Sequence, residues 1–160
     1  MTEYVAALGS SSSTSIALSV MPSSSYPIRI ARIEVAGGGG AFNSSTSITY
    51  TVLVYPSSTV SGGTSITPYT MRQLPGVPAC TATAKTGGTI SGTAVQVHYE
   101  QNVASGTNVS VFCNLNSNYT FPFDLILSSG STLQVSATVS SATIGAIAVY
   151  FEELHETWAV

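Results

Sequence analysis

Apolar side chains recur at every second position along this chain, in short runs broken by Gly, Ser, Pro and Asn. A period of two is the signature of a β-strand with one face turned to a core. In TSIALSV, Ile16, Leu18 and Val20 alternate with small residues. SITYTVLVY sets Ile48, Tyr50, Val52 and Val54 on one face and Thr49, Thr51, Leu53 and Tyr55 on the other. Both faces favour β structure, which predicts a central strand. AVQVHYE presents Val95, Val97 and Tyr99, and VSVFC presents Val109, Val111 and Cys113 ahead of an NLNSN turn. In PIRIARIEV the phase slips: Ile28 and Ile30 share one face, and Ile33 and Val35 fall on the other. A one-residue slip of this kind predicts a β-bulge.

FPFDLIL (Phe121, Phe123, Leu125, Leu127), TLQVSATV (Leu133, Val135, Ala137, Val139) and AIAVYFE (Ile147, Val149, Phe151) are separated by short turn sequences. They read as an antiparallel meander. Pro75 and Pro78 make the stretch from Tyr69 to Lys85 an edge or a long connection. Residues 1–13 combine a short apolar patch with a GSSSS run and read as an extended arm outside the core. No segment holds a 3.6-residue period, and the one helix candidate, EELHETW, is about two turns at most. The expected organisation is an arm (1–13), one β domain (14–153) and a C-terminal tail (154–160). The fold class is all-β, an antiparallel sandwich or barrel of eight to ten short strands.

Charge changes the picture most. Only 7% of the 160 residues are charged, against roughly a quarter in an ordinary domain. Ser, Thr, Gly and Asn hold water in their place but repel nothing. Such a surface suits packing against copies of itself or against a larger body. Four basic residues, Arg29, Arg32, Arg72 and Lys85, with a net charge of −3, form no patch for phosphate, so neither nucleic acid nor an anionic membrane is expected as a partner. No apolar run approaches a membrane-spanning length. Glu3 stands where an export signal would carry positive charge, which predicts synthesis in a cytoplasm. Cys80 and Cys113 are too few for a disulfide framework. They read as small buried hydrophobes, with a single bridge formed in an oxidising medium as the alternative.

Catalytic constellations are absent from the sequence. A Ser-His-Asp arrangement has only His98, His155 and Asp124 to draw on, and no G-x-S-x-G elbow occurs. Glu152, His155 and Glu156 would share a face of a C-terminal helix but lack two-histidine metal spacing. Glu34, Glu100 and Asp124 are glycosidase candidates by elimination only. Gly37–Gly40 lacks the Lys of a phosphate loop, and the sequons at Asn43, Asn108 and Asn118 are expected by chance in a Ser/Thr-rich chain. The reading is a non-enzyme with no cofactor and no metal. The candidate interface residues are Tyr4, Val5 and Leu8 in the arm and Leu154 and Trp158 in the tail. Tyr and Trp favour interfaces because they bury well and still offer a hydrogen bond.

The strands PIRIARIEV and TYTVLVYP, and above all FPFDLILSSGSTLQVSATVSSATIGAIAVYFEE, resemble the jelly-roll capsid decoration (cement) proteins of tailed bacteriophages. The resemblance covers about Ile28 to Glu153. It implies a jelly-roll sandwich and a virion component on the capsid exterior. It also implies a homotrimer, with the major capsid protein as its partner. Tail and fibre proteins share these features, so the alternative is a jelly-roll module that binds a host receptor or glycan. A trimeric ligand of the tumour-necrosis-factor kind is a weaker third, because the sequence has no export signal.

Overall fold

The structure, a computed structural model, describes residues 2–9, 14–37, 47–71, 76–103, 125–139 and 144–155. Thirteen strands occur among them: β1 (Glu3–Gly9), β2 (Ser15–Met21), β3 (Ile28–Gly37), β4 (Ser47–Tyr55), β5 (Thr59–Ser61), β6 (Thr64–Ile66), β7 (Tyr69–Thr70), β8 (Thr83–Thr86), β9 (Thr89–Ser91), β10 (Val95–Val103), β11 (Leu125–Leu127), β12 (Thr132–Val139) and β13 (Ile144–Glu153). Sheet A has the order β11-β3-β13-β1-β7, sheet B the order β10-β4-β12-β2-β8-β6, and β5 pairs with β9 in a separate ribbon. Every pairing is antiparallel. The molecule is an antiparallel β-sandwich.

One core fills the space between the sheets. Sheet A contributes Tyr4, Ala6, Ile28, Ile30, Ile33, Val35, Leu127, Ile147, Val149 and Phe151; sheet B contributes Ile16, Leu18, Val20, Tyr50, Val52, Ala84, Leu133, Val135 and Ala137. These are the alternate positions of each strand, as one buried face requires. Burial of each large side chain contributes about 1.5–3 kcal/mol. At the bulge in β3, Tyr150 faces Arg32 while Phe151 faces Ile30, so Ala31 is the extra residue. It restores the phase, and Ile28, Ile30, Ile33 and Val35 are all buried. Strand β4 lies between β10 and β12, the central position its two apolar faces predict.

Three expectations are corrected. Residues 3–9 are not an arm but a full strand of sheet A, paired along its length with β13 and at Tyr4–Val5 with β7. The alternation of Tyr4, Ala6 and Leu8 turns a second apolar row inward. Strands β11, β12 and β13 form no meander. β11 and β13 belong to sheet A and β12 to sheet B, so successive strands change sheets and do not pair as hairpins. The Ser128–Ser131 turn, with Ser131 N–H donating to the Ser128 carbonyl (3.1 Å) and Gly130 at φ 81°, makes one such corner. Of the helix candidate EELHETW, Glu152 and Glu153 are instead the end of β13, and residues 156–158 lie outside the described residues.

Residues 59–66 and 84–91 run antiparallel in one continuous register, with Ser61 facing Thr89 and Thr64 facing Thr86. Between these pairs Gly62–Gly63 oppose Gly87–Gly88. A Cβ on Gly63 (φ +77°) would lie 2.7 Å from Gly88 N and the Thr86 carbonyl oxygen, whereas one on Gly62 (φ +65°) meets open space. Gly62→Ala is therefore expected to cost about 1–2 kcal/mol of backbone strain alone, and Gly63→Ala on the order of 3 kcal/mol, because backbone must also move. Urea unfolding of the two variants checks the difference. Deleting residues 1–13 removes a strand from the middle of the sheet A hydrogen-bond ladder. Loss of cooperative unfolding, seen by circular dichroism, is the expected result.

Candidate functional site

Two polar assemblies stand out against the Ser/Thr surface. The first is buried at the end of β13, where Glu153 occupies the inward phase after Ile147, Val149 and Phe151. Its side chain is fully buried. Oε1 accepts the backbone N–H groups of Thr81 and Ala82, each at 2.7 Å, and the Thr81 hydroxyl at 2.8 Å. Thr81 Oγ1 also bonds Ser23 Oγ at 2.9 Å, and Ser23 Oγ accepts the N–H of Tyr26 at 3.0 Å. Oε2 is buried without a hydrogen bond, 3.4 Å from His155 Nε2. The imidazole lies against Tyr26, with ring centroids 4.2 Å apart. One carboxyl group thus ties the end of β13 to the 77–82 connection and, through Thr81, to the 22–27 loop.

Glu153 holds two neighbouring groups in their protonated forms. Burial and the nearby Glu153 push the Cys80 thiol from an ordinary value of 9.0 up to about 12. The thiol is a poor nucleophile at neutral pH, because attack needs the thiolate. Tyr4, whose hydroxyl donates to the Pro78 carbonyl at 3.0 Å, is also raised, by burial first and then by Glu153 and Cys80. Among the described residues no three His, Cys, Asp or Glu side chains converge to hold a metal ion.

The second assembly covers the outer face of sheet A. Cross-strand registers set Ile126, Arg29, Glu152 and Glu3 in one row and Arg32, Tyr150, Val5 and Tyr69 in the next. Arg29 pairs with Glu152 through Nε (3.0 Å) and Nη2. Arg32 lies 3.9 Å above the centre of the Tyr150 ring, and Tyr150 donates to Glu34 Oε2 at 2.9 Å. Burial, followed by that bond to Glu34, raises the Tyr150 hydroxyl. Five of the eleven charged residues of the chain stand on this one face: Glu3, Arg29, Arg32, Glu34 and Glu152.

Of the interface candidates, Tyr4 is in the core, stacked on Phe151 with centroids 5.9 Å apart, and Leu8 packs against the same core. Neither is free to clasp a neighbour. Val5 is buried on the outer face, in register with Tyr69 and Tyr150. Leu154 is half-buried, and its N–H donates to the Pro27 carbonyl at 3.0 Å. Trp158 lies outside the described residues, as do Cys113, Asp124, Glu156 and the three sequons. Glu34 and Glu152 serve the outer-face network; their candidate partners Asp124 and Glu156, and the Glu100 side chain, lie outside the described residues. No helix among the described residues is long and apolar enough to cross a membrane.

No family model matches the chain, and neither a curated protein nor a solved structure matches it.

Glu153→Ala leaves two backbone N–H groups without their acceptor and is expected to destabilise by on the order of 3 kcal/mol, with Glu153→Gln costing less because the amide oxygen still accepts. Denaturant unfolding measures both. Between about pH 9 and about pH 12 the folded protein keeps the Cys80 proton that the unfolded chain has released. Stability is therefore present below 9 and falls as pH rises through that window. Cys80→Ala should flatten the fall, read from denaturation midpoints across the alkaline range.

Proposed function

We propose that this chain is a non-enzymatic structural component of a virion. It decorates and stabilises the outside of a phage capsid through subunit–subunit and subunit–shell contacts, as a homo-oligomer, with a trimer expected from the resemblance. The observation that carries the reading is where the charges lie. Five are gathered on one sheet face, largely tied to one another, and Glu153 is buried. The remaining described surface is dominated by Ser, Thr and Gly. A neutral hydroxylated surface gives up little solvation when it packs on a large body, since neutral hydroxyls cost far less to desolvate than charges. Many identical shallow contacts then add up by avidity.

Strand order supports the jelly-roll part of the proposal. Eight strands divide between β1-β13-β3-β11 and β2-β12-β4-β10, and the chain changes sheet at every step among them except from β4 to β10. In a jelly roll the chain likewise winds back and forth between two four-stranded sheets, with its first strand beside its last.

Purified full chain, mixed with capsids that lack it, is expected to bind at a copy number comparable with the shell protein and to raise the temperature at which the shells open. Quantitative gel densitometry and differential scanning calorimetry read these two effects. Absence of binding, or a few copies confined to the tail, would overturn the decoration reading; the second result would favour the receptor-binding alternative.

A further inference from the structure

The strand pairings describe a ribbon doubled on itself. β1 pairs with β13, β2 with β12, β3 with β11, β4 with β10, β5 with β9 and β6 with β8, each pair nested inside the one before. The ribbon turns back between β6 and β8, and its open end is where β1 and β13 lie side by side. Four further pairings, β4–β12, β3–β13, β2–β8 and β1–β7, wind the ribbon into two sheets. Winding carries the turn onto the open end. There the Tyr4 hydroxyl donates to the Pro78 carbonyl at 3.0 Å, and Glu153 Oε1 accepts the N–H groups of Thr81 and Ala82 at 2.7 Å. These bonds join positions 71 to 74 residues apart.

The contact is polar and directional. No residue from Gly76 to Thr81 is buried, whereas Tyr4 and the Glu153 side chain are fully buried. Docking this stretch therefore removes little apolar surface of its own from water. The Glu153 carboxyl group must give up its water, and that loss is offset only when the Thr81 and Ala82 N–H groups stand at bonding distance. Such a contact gains nothing from a loose approach. Apolar packing between the sheets does gain from one, because it has no preferred direction.

We infer that residues 76–82 form a clasp that closes after the folding transition state and opens before the sandwich does, and so sets how slowly the native protein unfolds. Interactions absent from the transition state act on the unfolding rate and leave the folding rate alone. The inference goes beyond the proposed function and stands whether or not the chain decorates a shell.

Stopped-flow folding and unfolding of the full chain in urea tests it. Glu153→Gln and Glu153→Ala should refold within about twofold of the parent rate. Glu153→Ala should unfold on the order of a hundredfold faster, as its loss of stability implies when each 1.4 kcal/mol is tenfold. Hydrogen exchange of the parent protein in low urea gives a reading that needs no variant. The Thr81 and Ala82 N–H groups should exchange through a local opening, faster and with weaker urea dependence than those of Val135 in β12 and Val149 in β13. Glu153 variants that refold more slowly in proportion to their lost stability would overturn the inference. So would Thr81 and Ala82 N–H groups that exchange only together with those of Val135 and Val149.

Discussion

Strand β13 is hydrogen-bonded on both sides, to β1 and to β3, and it brings Ile147, Val149 and Phe151 fully into the core. The rest of the molecule depends on this central position. Its partner Tyr4 stacks on Phe151. Its last residue, Glu153, gathers the 77–82 connection and, through Thr81, the 22–27 loop. The contact joins the two ends of the described chain, and its entropic cost is that of closing a very long loop. That cost grows only logarithmically with length, so a well-packed ladder can meet it. The sandwich is therefore most vulnerable at its termini, the reverse of the usual expectation that chain ends are dispensable.

Period-two alternation made the inward face of nearly every described long strand legible, including the slip in PIRIARIEV that the Ala31 bulge absorbs. Alternation reports which side of a strand is buried; it says nothing of which strand lies beside it. The LSSGST stretch from Leu127 satisfies a hairpin and a sheet-to-sheet corner equally, and the structure uses it as a corner. The N-terminal strand is obscured for a related reason: Tyr4, Ala6 and Leu8 alternate, but Val5 and Ala7 between them are apolar too, and the serine run that follows reads as an extended arm. The short strands around Gly62–Gly63 and Gly87–Gly88 carry too few apolar residues to announce themselves.

The buried clamp did leave a trace in the sequence. Glu153 falls on the same phase as Ile147, Val149 and Phe151, and a carboxylate on an apolar phase needs donors waiting for it. What no pattern could supply was their origin, since Thr81 and Ala82 offer backbone N–H groups that are silent in any sequence. The outer-face network was half visible. Arg29, Arg32 and Glu34 lie on the outward positions of β3, but their partners Tyr150 and Glu152 are more than a hundred residues away.

Charge in this protein is spent on orientation, because solubility is left to hydroxyl groups. An ion pair on an exposed face stabilises little, typically under about 1 kcal/mol, so the Arg29–Glu152 and Arg32–Tyr150–Glu34 groups hold no great share of the folding energy. They do fix which way the long side chains of sheet A point, and they draw both arginines inward from the sheet edges. Ile126 on β11 and Tyr69 on β7 have no charged residue within their own short strands. The described surface is thus a neutral, hydroxylated exterior with its described charges concentrated on one sheet face.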